Sequence, residues 1–310
     1  MTDHIPVLYR EVLDYLKLRP NGAYIDGTLG AGGHTAGILE ATAPDGRVLG
    51  FDKDPEAIGF AGAKLERFGK RVTLVNQSYT EMPTTAPALG FDQVDGILLD
   101  LGLSSRQLDD GMRGFSFRYE APLDMRFNQT QGTTAADLVN NLTEAELADI
   151  FWRYGEEKRG RKMARIIVAN RPITTTSQLA DLIAANAGQR RRRIHPATLV
   201  FQALRIAVNQ ELEAVETGIP AAINLLKPGG RIAVISFHSL EDRFVKRLFR
   251  QLSLDCVCPP EQLICICDTQ AIIKRVSRKA IKASKAEIEA NPRSRSARLR
   301  VAEKLAVNGS

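Results

Sequence analysis

The sequence YIDGTLGAGGH, residues Tyr24–His34, is the most informative part of the chain about its fold. An apolar run ends at Asp26, and the glycines Gly30, Gly32 and Gly33 follow before a helical pattern begins. Glycines at such a point let the chain turn tightly and let its backbone approach a ligand at the start of a helix. The stretch therefore predicts a strand, a ligand-binding loop and a helix in succession.

Outward from this stretch, short apolar runs alternate with helical patterns, and the alternation returns near residue 225. Strands alternating with helices are typical of βαβ units, which build a parallel sheet with right-handed crossovers. We predict an α/β fold with a mostly parallel sheet, with strands at Ala23–Asp26, Arg47–Asp52, Arg71–Asn76, Val94–Leu99, within Leu225–Phe237, at Ile272–Val276 and at Arg298–Ala302. Helices are predicted at His34–Ala43, Pro55–Phe68 and Leu240–Gln251.

Residues 107–209 interrupt this alternation, because they have the pattern of loops and helices without comparable β-branched runs. The simplest interpretation is one α/β domain that is split by an insertion. We predict a discontinuous domain of residues 1–106 and 210–310, and an inserted helical domain of residues 107–209 that recognises the substrate.

The glycine loop and the next strand end suggest a nucleoside cofactor. The nicotinamide pattern G-x-G-x-x-G is not met, since its last position is Thr35. The spacing is closer to the acidic-x-Gly-x-Gly-x-Gly loop of S-adenosylmethionine-dependent methyltransferases, with Thr28 in place of the first glycine. Asp52 ends the second strand and can accept hydrogen bonds from both hydroxyls of a ribose. Alternatively, Asp52 caps the helix at Pro55, a role that Asp54 can supply equally well.

Asp100 ends the fourth predicted strand, where open α/β sheets place groups that contact ligands. A carboxylate there can contact the methionine end of the cofactor or a substrate amine. The alternative is a loop aspartate that makes a turn.

The composition excludes several classes of protein. The chain has 310 residues, 44% hydrophobic and 25% charged, which is typical of globular proteins and unlike disordered ones. Four cysteines are too few for the disulfide framework of a secreted scaffold. No apolar run reaches the ~18 residues that span a membrane, and the first residues lack the pattern of a signal peptide. We predict a cytoplasmic protein without membrane association.

Charge is distributed unevenly along the chain. Residues 1–150 contain 13 Lys and Arg against 22 Asp and Glu, whereas residues 151–310 contain 29 against 14. Basic residues concentrate in Arg190–Arg193 and between Lys274 and Arg300. These segments are either solvated faces or contacts to the phosphates of a nucleic acid, and the candidates in the second are Arg293, Arg295, Arg298 and Arg300.

Longer blocks carry a resemblance to one known family. They are DGTLGAGGHT at 26–35, DGILLDLGLSSRQLDD at 95–110, RGFSFR at 113–118, PLDMR at 122–126, HPAT at 195–198, FQALRIAVNQEL at 201–212, KPGGRIAVISFHSLEDR at 227–243 and NPRSRSARLR at 291–300. From His4 to about Glu303 the chain resembles the bacterial MraW family, the cytosine-N4 methyltransferases of 16S ribosomal RNA.

This resemblance implies a class I methyltransferase fold, which is Rossmann-like, with an inserted helical domain. It also implies S-adenosylmethionine as methyl donor, and 16S rRNA of the small ribosomal subunit as partner. The implied target is the N4 amine of a cytidine in the decoding region, cytosine 1402 in the family. The implied cofactor-binding residues are Gly32, Gly33, His34, Asp52, Tyr79, Asp100 and Gln107.

Each of these positions suits a physical role. Gly32 and Gly33 leave room for the methionine moiety, and Tyr79 can stack on adenine or pack at the sheet edge. His34 either caps its helix or contacts the cofactor carboxylate.

The proposed chemistry needs a group that accepts hydrogen bonds from the cytosine amine, because the N4 lone pair is delocalised into the ring. We predict that Asp100, or the backbone carbonyls of Leu101–Leu103, plays this part. Many amino-methyltransferases carry Asp/Asn-Pro-Pro-aromatic here, whereas this chain has Asp-Leu-Gly-Leu. The base would then stack on an aromatic ring elsewhere; the candidates, for each of which core packing is the alternative, are Phe115, Phe117 and Phe237. His238 is either a further substrate contact or a hydrogen-bonded turn residue.

All four cysteines lie in one short segment, as Cys256, Cys258, Cys265 and Cys267. Methylation at carbon 5 of cytosine normally needs a cysteine nucleophile near the fourth strand, so this placement favours nitrogen methylation. Four thiolates also suit structural zinc, but two C-x-C pairs depart from the usual C-x₂-C spacing. The spacing favours packing without metal and leaves zinc as the alternative.

Three rival functions remain open at the level of sequence. A small-molecule α/β enzyme would leave the basic segments without a role, and a noncatalytic ribosome-assembly protein would bind RNA and cofactor without transfer. A DNA cytosine-N4 methyltransferase would use the same chemistry, and only the family blocks separate RNA from DNA.

Overall fold

Seven strands form a single sheet in the computed structural model, which describes residues 6–187, 195–259, 262, 265–267 and 269–306. The strands are β1 Ala23–Asp26, β2 Arg47–Phe51, β3 Val72–Val75, β4 Val94–Asp100, β5 Leu226–Ser236, β6 Ile273–Arg275 and β7 Arg298–Lys304. Their order across the sheet is β3-β2-β1-β4-β5-β7-β6.

Strands β1 to β5 pair in parallel, and β7 is antiparallel to both β5 and β6. The chain runs outward from β1 to β3 on one side and from β4 to β5 on the other, so the strand order reverses between β1 and β4. Ligands bind at such a reversal, beyond the carboxyl ends of the strands. The sheet confirms the predicted α/β class and the class I methyltransferase fold.

The chain divides into two compact units, Met1–Gly102 with Glu213–Ser310, and Leu103–Leu212. The predicted boundaries, at residues 107 and 209, lie a few residues inside these. The first unit contains the sheet and the helices α1 Tyr9–Leu16, α2 Gly33–Ala41, α3 Pro55–Leu65, α4 Met82–Ala88, α12 Ser239–Gln251 and α13 Lys285–Ala290. The second unit contains α5 Ser105–Asp109, α6 Ala135–Asn141, α7 Glu144–Arg153, α8 Gly160–Ala169, α9 Thr176–Asn186 and α10 Thr198–Asn209. Helix α11, Glu211–Leu225, has its first two residues in the second unit.

Each unit has its own apolar core. In the first unit the sheet is covered on both faces, which explains why its central strands are almost continuously apolar. In the second unit side chains from its helices pack on one another around Phe151 and Leu204, both fully buried. No helix within the described parts of the chain combines the length and apolar character needed to span a bilayer.

The predicted elements exist, with differences at their ends. Helix α3 ends at Leu65 rather than Phe68, because the chain tightens into a 3₁₀ helix at Glu66–Arg71. Strand β5 contains an irregularity at its Pro-Gly-Gly sequence, residues 228–230: Leu226 pairs with Val94, but the next pairing joins Arg231 to Gly96. The sequence analysis did not predict α1 or α4.

Candidate active site

The site is built on three acidic residues at the carboxyl ends of adjacent strands. Asp26 ends β1, Asp52 directly follows β2, and Asp100 ends β4. Because β1 lies between β2 and β4, the three carboxyl groups are brought to one edge of the sheet. This edge is also the point where the strand order reverses.

The glycine loop after β1 is tied to both neighbouring strands. Gly27 N donates to Leu98 O of β4, and Leu29 N donates to Phe51 O of β2, each at 2.9 Å. The hydroxyl oxygen of Thr28 accepts from the backbone N–H of Asp100 at 2.5 Å. Thr28 therefore has a local function: its side chain joins the loop to the end of β4.

Gly32 and Gly33, which were predicted to leave room for the methionine moiety, lie close to other side chains of the protein. A Cβ on Gly32 would stand 3.0 Å from the Leu65 side chain of α3, and a Cβ on Gly33 would stand 2.5 Å from Pro6. Gly32 also has a φ of +71°, which side chains disfavour. The missing side chains thus make room for protein packing, and only the backbone of these glycines is left to serve a ligand.

Asp26 is the most deeply buried of the three carboxyl groups, with 1% of its surface exposed. Its Oδ2 accepts from the Thr35 hydroxyl at 2.7 Å, and its Oδ1 accepts from Thr28 N at 3.2 Å. Burial raises the pKa of Asp26 to about 6, and these two hydrogen bonds only partly oppose the effect. The sequence analysis did not include Asp26 or Thr35 in the site, although an acidic residue at a strand end was the available signal.

We expect Asp26→Asn to raise the free energy of unfolding at pH 8 and to change it little at pH 4. The folded-state pKa is about 6 against an ordinary value of 3.8, so the folded state holds a proton that the unfolded state releases between these values. The wild type therefore loses stability as pH rises through this window, by on the order of 3 kcal/mol at most. The asparagine side chain does not titrate, so the variant does not lose this stability as pH rises.

Urea unfolding of both proteins at pH 4 and pH 8 measures this difference. A variant less stable than the wild type at pH 8 would contradict it, because that result would mean that the ionised carboxylate stabilises the fold.

Asp52 links β2 to the glycine loop. Its Oδ2 accepts from Gly30 N at 2.8 Å and its Oδ1 accepts from Asp54 N at 2.9 Å. Burial raises the pKa of Asp52 to about 6. The alternative role as helix cap belongs instead to Asp54, whose side chain accepts from Glu56 N at the start of α3. Each oxygen of Asp52 keeps further acceptor capacity for a ligand.

Asp100 has a free acceptor in a buried position. Its Oδ1 is buried and has no hydrogen-bond partner among the described residues, while the side chain as a whole remains 24% exposed. Burial, together with the negative charges of Asp26 and Glu241, raises the pKa of Asp100 well above its ordinary value. A buried acceptor without a partner is costly unless a bound group satisfies it. This favours a ligand contact over a turn.

His34 is a neutral neighbour of Asp100. Its Nε2 lies 3.1 Å from Val7 O, which can only accept, so Nε2 carries the hydrogen and Nδ1 is left as an acceptor. Nδ1 lies 3.8 Å from Asp100 Oδ2. Burial lowers the pKa of His34 to about 4, which keeps the ring uncharged at neutral pH. Its side chain does not cap α2, whose N-cap residue is Gly32.

The two remaining residues predicted to bind the cofactor, Tyr79 and Gln107, contact other residues of the protein. Tyr79 is buried in the apolar core of the first unit, where a Cβ on Gly218 would stand 2.3 Å from its ring. These contacts match the alternative of packing at the sheet edge. Gln107 belongs to the second unit, where it forms a capping box with Ser104 at the start of α5.

The three aromatic candidates have different surroundings. Phe115 is buried in the core of the second unit, and the ring of Phe117 lies 4.6 Å from that of His195. Phe237 is half-buried just after β5, 3.5 Å from where a Cβ on Gly102 would stand. His238 is the N-cap residue of α12, which matches the turn alternative.

The arginines that were predicted to contact phosphate differ in their surroundings. Arg190–Arg193 lie outside the described residues. Arg300 pairs with the buried Asp242 through two hydrogen bonds, of 2.7 and 3.1 Å, and Arg298 donates to the same carboxylate at 3.0 Å. The prediction that Arg300 contacts phosphate was wrong, because an ion pair within the fold uses its guanidinium. Arg293 and Arg295 lie on an exposed 3₁₀ helix.

Almost the whole chain is similar to known proteins. The sequence pattern of the MraW methylase family matches residues 1–305. A protein of Thermomicrobium roseum named ribosomal RNA small subunit methyltransferase H is 52% identical, over 99% of this chain and 95% of its own. A protein of the same name from Geotalea uraniireducens is 51% identical, over 97% of this chain and 98% of its own. Among solved structures, an rRNA methylase from Streptococcus thermophilus aligns with a TM-score of 0.45 and 12% identity, over 98% of this chain and 99% of that one.

Proposed function

Because this chain belongs to the MraW methylase family, we propose that it transfers a methyl group from S-adenosylmethionine to the N4 amine of a cytidine in small-subunit ribosomal RNA. The proposed target is cytosine 1402 of 16S rRNA, the family's position. The names of the full-length relatives support ribosomal RNA as the substrate class. The observation that carries the nitrogen chemistry is the buried, partnerless Oδ1 of Asp100.

The residues at the sheet edge suit the cofactor. S-adenosylmethionine supplies, when bound, an electrophilic methyl group on a positively charged sulfonium, and it carries an ammonium group as well. Burial raises the pKa values of the three carboxyl groups at this edge, and a bound cationic ligand would lower those pKa values and favour the ionised carboxylates. Asp52 would accept from the ribose, and the backbone at Gly32 and Gly33 would receive the carboxylate end at the start of α2. Tyr79 and Gln107 remain proposed cofactor contacts from the family resemblance.

Asp100 would act on the amine. A carboxylate that accepts an N–H bond of the amine helps its nitrogen to pyramidalise, and it holds the nitrogen in line with the methyl group. As the new carbon–nitrogen bond forms and the carbon–sulfur bond breaks, the nitrogen must lose a proton. The raised pKa of Asp100 makes its carboxylate a better acceptor for that proton than an ordinary aspartate. The uncharged His34 does not compete for it, since its own pKa is lowered.

The remaining parts of the proposal concern RNA. We propose that the second unit, Leu103–Leu212, recognises the substrate, and that Arg190–Arg193 of this unit take part. The exposed Arg293 and Arg295 of the first unit would contribute further contacts. The target base must leave its stack to reach the strand ends, and unpaired positions of structured RNA permit this at the lowest energetic cost.

Phe237 is the aromatic candidate in the same unit as Asp100, and we expect Phe237→Ala to lower kcat/KM for RNA about 10- to 100-fold. Stacking of a base on an aromatic side chain contributes roughly 1–3 kcal/mol. The affinity for S-adenosylmethionine, measured by calorimetry, should stay within about twofold of the wild type because the stacked base is not part of the cofactor.

Phe237→Tyr is the matched control, because it keeps the ring and should keep the activity. If Phe237→Ala melts at a lower temperature but methylates RNA at the wild-type rate, the ring serves only core packing.

A panel of substrates tests the substrate class. Labelled S-adenosylmethionine is supplied with small subunits from cells lacking this protein, naked 16S rRNA, cytosine-containing DNA, or free cytidine. We expect label in the small subunits and little in DNA or cytidine. Label only in DNA or cytidine would reject the ribosomal substrate, and cofactor binding with no transfer to any of the four would favour a noncatalytic role.

A further inference from the structure

The four cysteines of the chain come together on the segment between α12 and β6. Cys265 Sγ lies 3.5 Å from Cys256 Sγ, 3.5 Å from Cys267 Sγ and 3.9 Å from Cys258 Sγ. Cys267 Sγ lies 3.8 Å from Cys256 Sγ, and all four sulfur atoms lie within 4.8 Å of one another. All four side chains are free thiols in this arrangement.

These distances fit one metal ion. A disulfide would need about 2.05 Å between two sulfur atoms. An ion at the centre of a tetrahedron, with metal–sulfur bonds of about 2.3 Å, places its sulfur ligands about 3.8 Å apart. An iron–sulfur cluster would need wider spacing, because its inorganic sulfides and several iron atoms lie between the cysteines. A tetrahedral site with four sulfur ligands is the site that a single zinc ion prefers.

Backbone amides also point at two of the sulfur atoms. Val257 N donates to Cys267 Sγ, and Cys258 N donates to Cys256 Sγ, both at 3.4 Å. Hydrogen bonds to a ligand atom from outside the metal shell fix its orientation and favour its deprotonated form. The backbone thus supports the thiolate state that metal binding requires.

The described residues of the segment form no apolar core of their own. None of the described residues between 253 and 271 is buried, and none lies in a helix or strand. At its base Ile272 N donates to Leu252 O, and Ala271 N donates to Asp255 Oδ1. Metal coordination is one way to order a stretch of chain that cannot bury apolar surface.

We propose that Cys256, Cys258, Cys265 and Cys267 bind one Zn²⁺ as a tetrathiolate, and that this ion holds the two C-x-C pairs together. The C-x-C spacing argued against zinc in the sequence; the convergence of the two pairs argues for it. The ion has no part in methyl transfer, so the proposal stands independently of the proposed function.

The first test is elemental analysis of the full chain, purified under reducing conditions without added metal. We expect about one zinc ion per chain, and four thiols that react with a thiol reagent only after a chelator has removed it. Cobalt(II) added to the metal-free protein should give the intense visible bands of tetrahedral thiolate coordination. The thiol count is unambiguous because the chain has no other cysteine.

Paired substitutions test the ligands. Cys256→Ser with Cys258→Ser, and Cys265→Ser with Cys267→Ser, should each reduce bound zinc at least tenfold. Val257→Ser is the matched control, since Val257 is exposed and lies between two ligands without being one. Hydrogen exchange should accelerate in residues 253–271 of the paired variants, with the amides of β1 and β4 unchanged, which shows that the remainder of the chain is folded.

The proposal is overturned if the wild type has four reactive thiols and less than about 0.1 zinc per chain even after incubation with Zn²⁺. It is also overturned if the cysteines are found as two disulfides, or if iron in place of zinc accounts for the bound metal.

Discussion

Replacing Asp100 by asparagine is expected to lower kcat for RNA methylation by about 10²- to 10⁴-fold at saturating cofactor. Asparagine keeps the shape of the side chain and one acceptor oxygen, but it cannot take a proton from the amine. The buried position makes the loss large, because the charge and the proton acceptor that asparagine lacks count for more in surroundings of low dielectric constant than in water.

The pH profile of the same variant adds an independent readout. The raised pKa of Asp100 means that the wild-type carboxylate form becomes more populated as pH rises, so kcat should rise with pH. The Asp100→Asn variant should lack that dependence. Asp95→Asn is the matched control: Asp95 lies near the opposite end of β4, paired with Lys227, and should leave kcat unchanged. If Asp100→Asn weakens only cofactor affinity and keeps the wild-type kcat, Asp100 holds the cofactor and does not act on the amine.

Replacing Asp52 by alanine is expected to weaken the affinity for S-adenosylmethionine by about 10²-fold or more. Each hydrogen bond to a charged acceptor contributes roughly 1.5–3 kcal/mol, and the ribose offers two donors. Alanine also removes the acceptors for Gly30 N and Asp54 N, so the glycine loop loses its connection to β2. Calorimetric titration measures the change directly.

Asp54→Ala separates affinity from stability. It removes the N-cap of α3, which should cost about 1 kcal/mol of stability, but leaves the bond between Asp52 and the loop in place. We expect this control to melt earlier and still bind the cofactor normally. Equal losses of affinity in both variants would mean that general destabilisation, rather than the Asp52 carboxylate, explains the effect.

The elements that were predicted well are those with local signals. The Asp-Pro pair at residues 54–55 marks the start of α3, and the apolar runs of β1, β2 and β4 mark buried parallel strands. Because parallel strands end at one edge of a sheet, the alternation of strands and helices along the chain was sufficient to place Asp52 and Asp100 at the same edge.

The features that were missed depend on contacts between residues far apart in the sequence. A Cβ added to Gly32 would meet Leu65, and one added to Gly33 would meet Pro6. Nothing in the loop sequence indicates these contacts. Arg300 pairs with Asp242, 58 residues earlier, so its charge is used within the fold although it lies in a basic stretch. The convergence of two C-x-C pairs likewise follows from the path of the segment rather than from its spacing.

The chemical identity of the methylated nucleoside tests most directly whether the protein methylates the N4 amine of cytidine. Small subunits lacking the modification are methylated with isotopically labelled S-adenosylmethionine, and the RNA is digested to nucleosides that are separated and identified by mass spectrometry. We expect the label to appear as N4-methylcytidine and Asp100→Asn to abolish most of it. Label in 5-methylcytidine or in a ribose methyl group would contradict this expectation, because neither product forms by attack of the amine that Asp100 is proposed to hold.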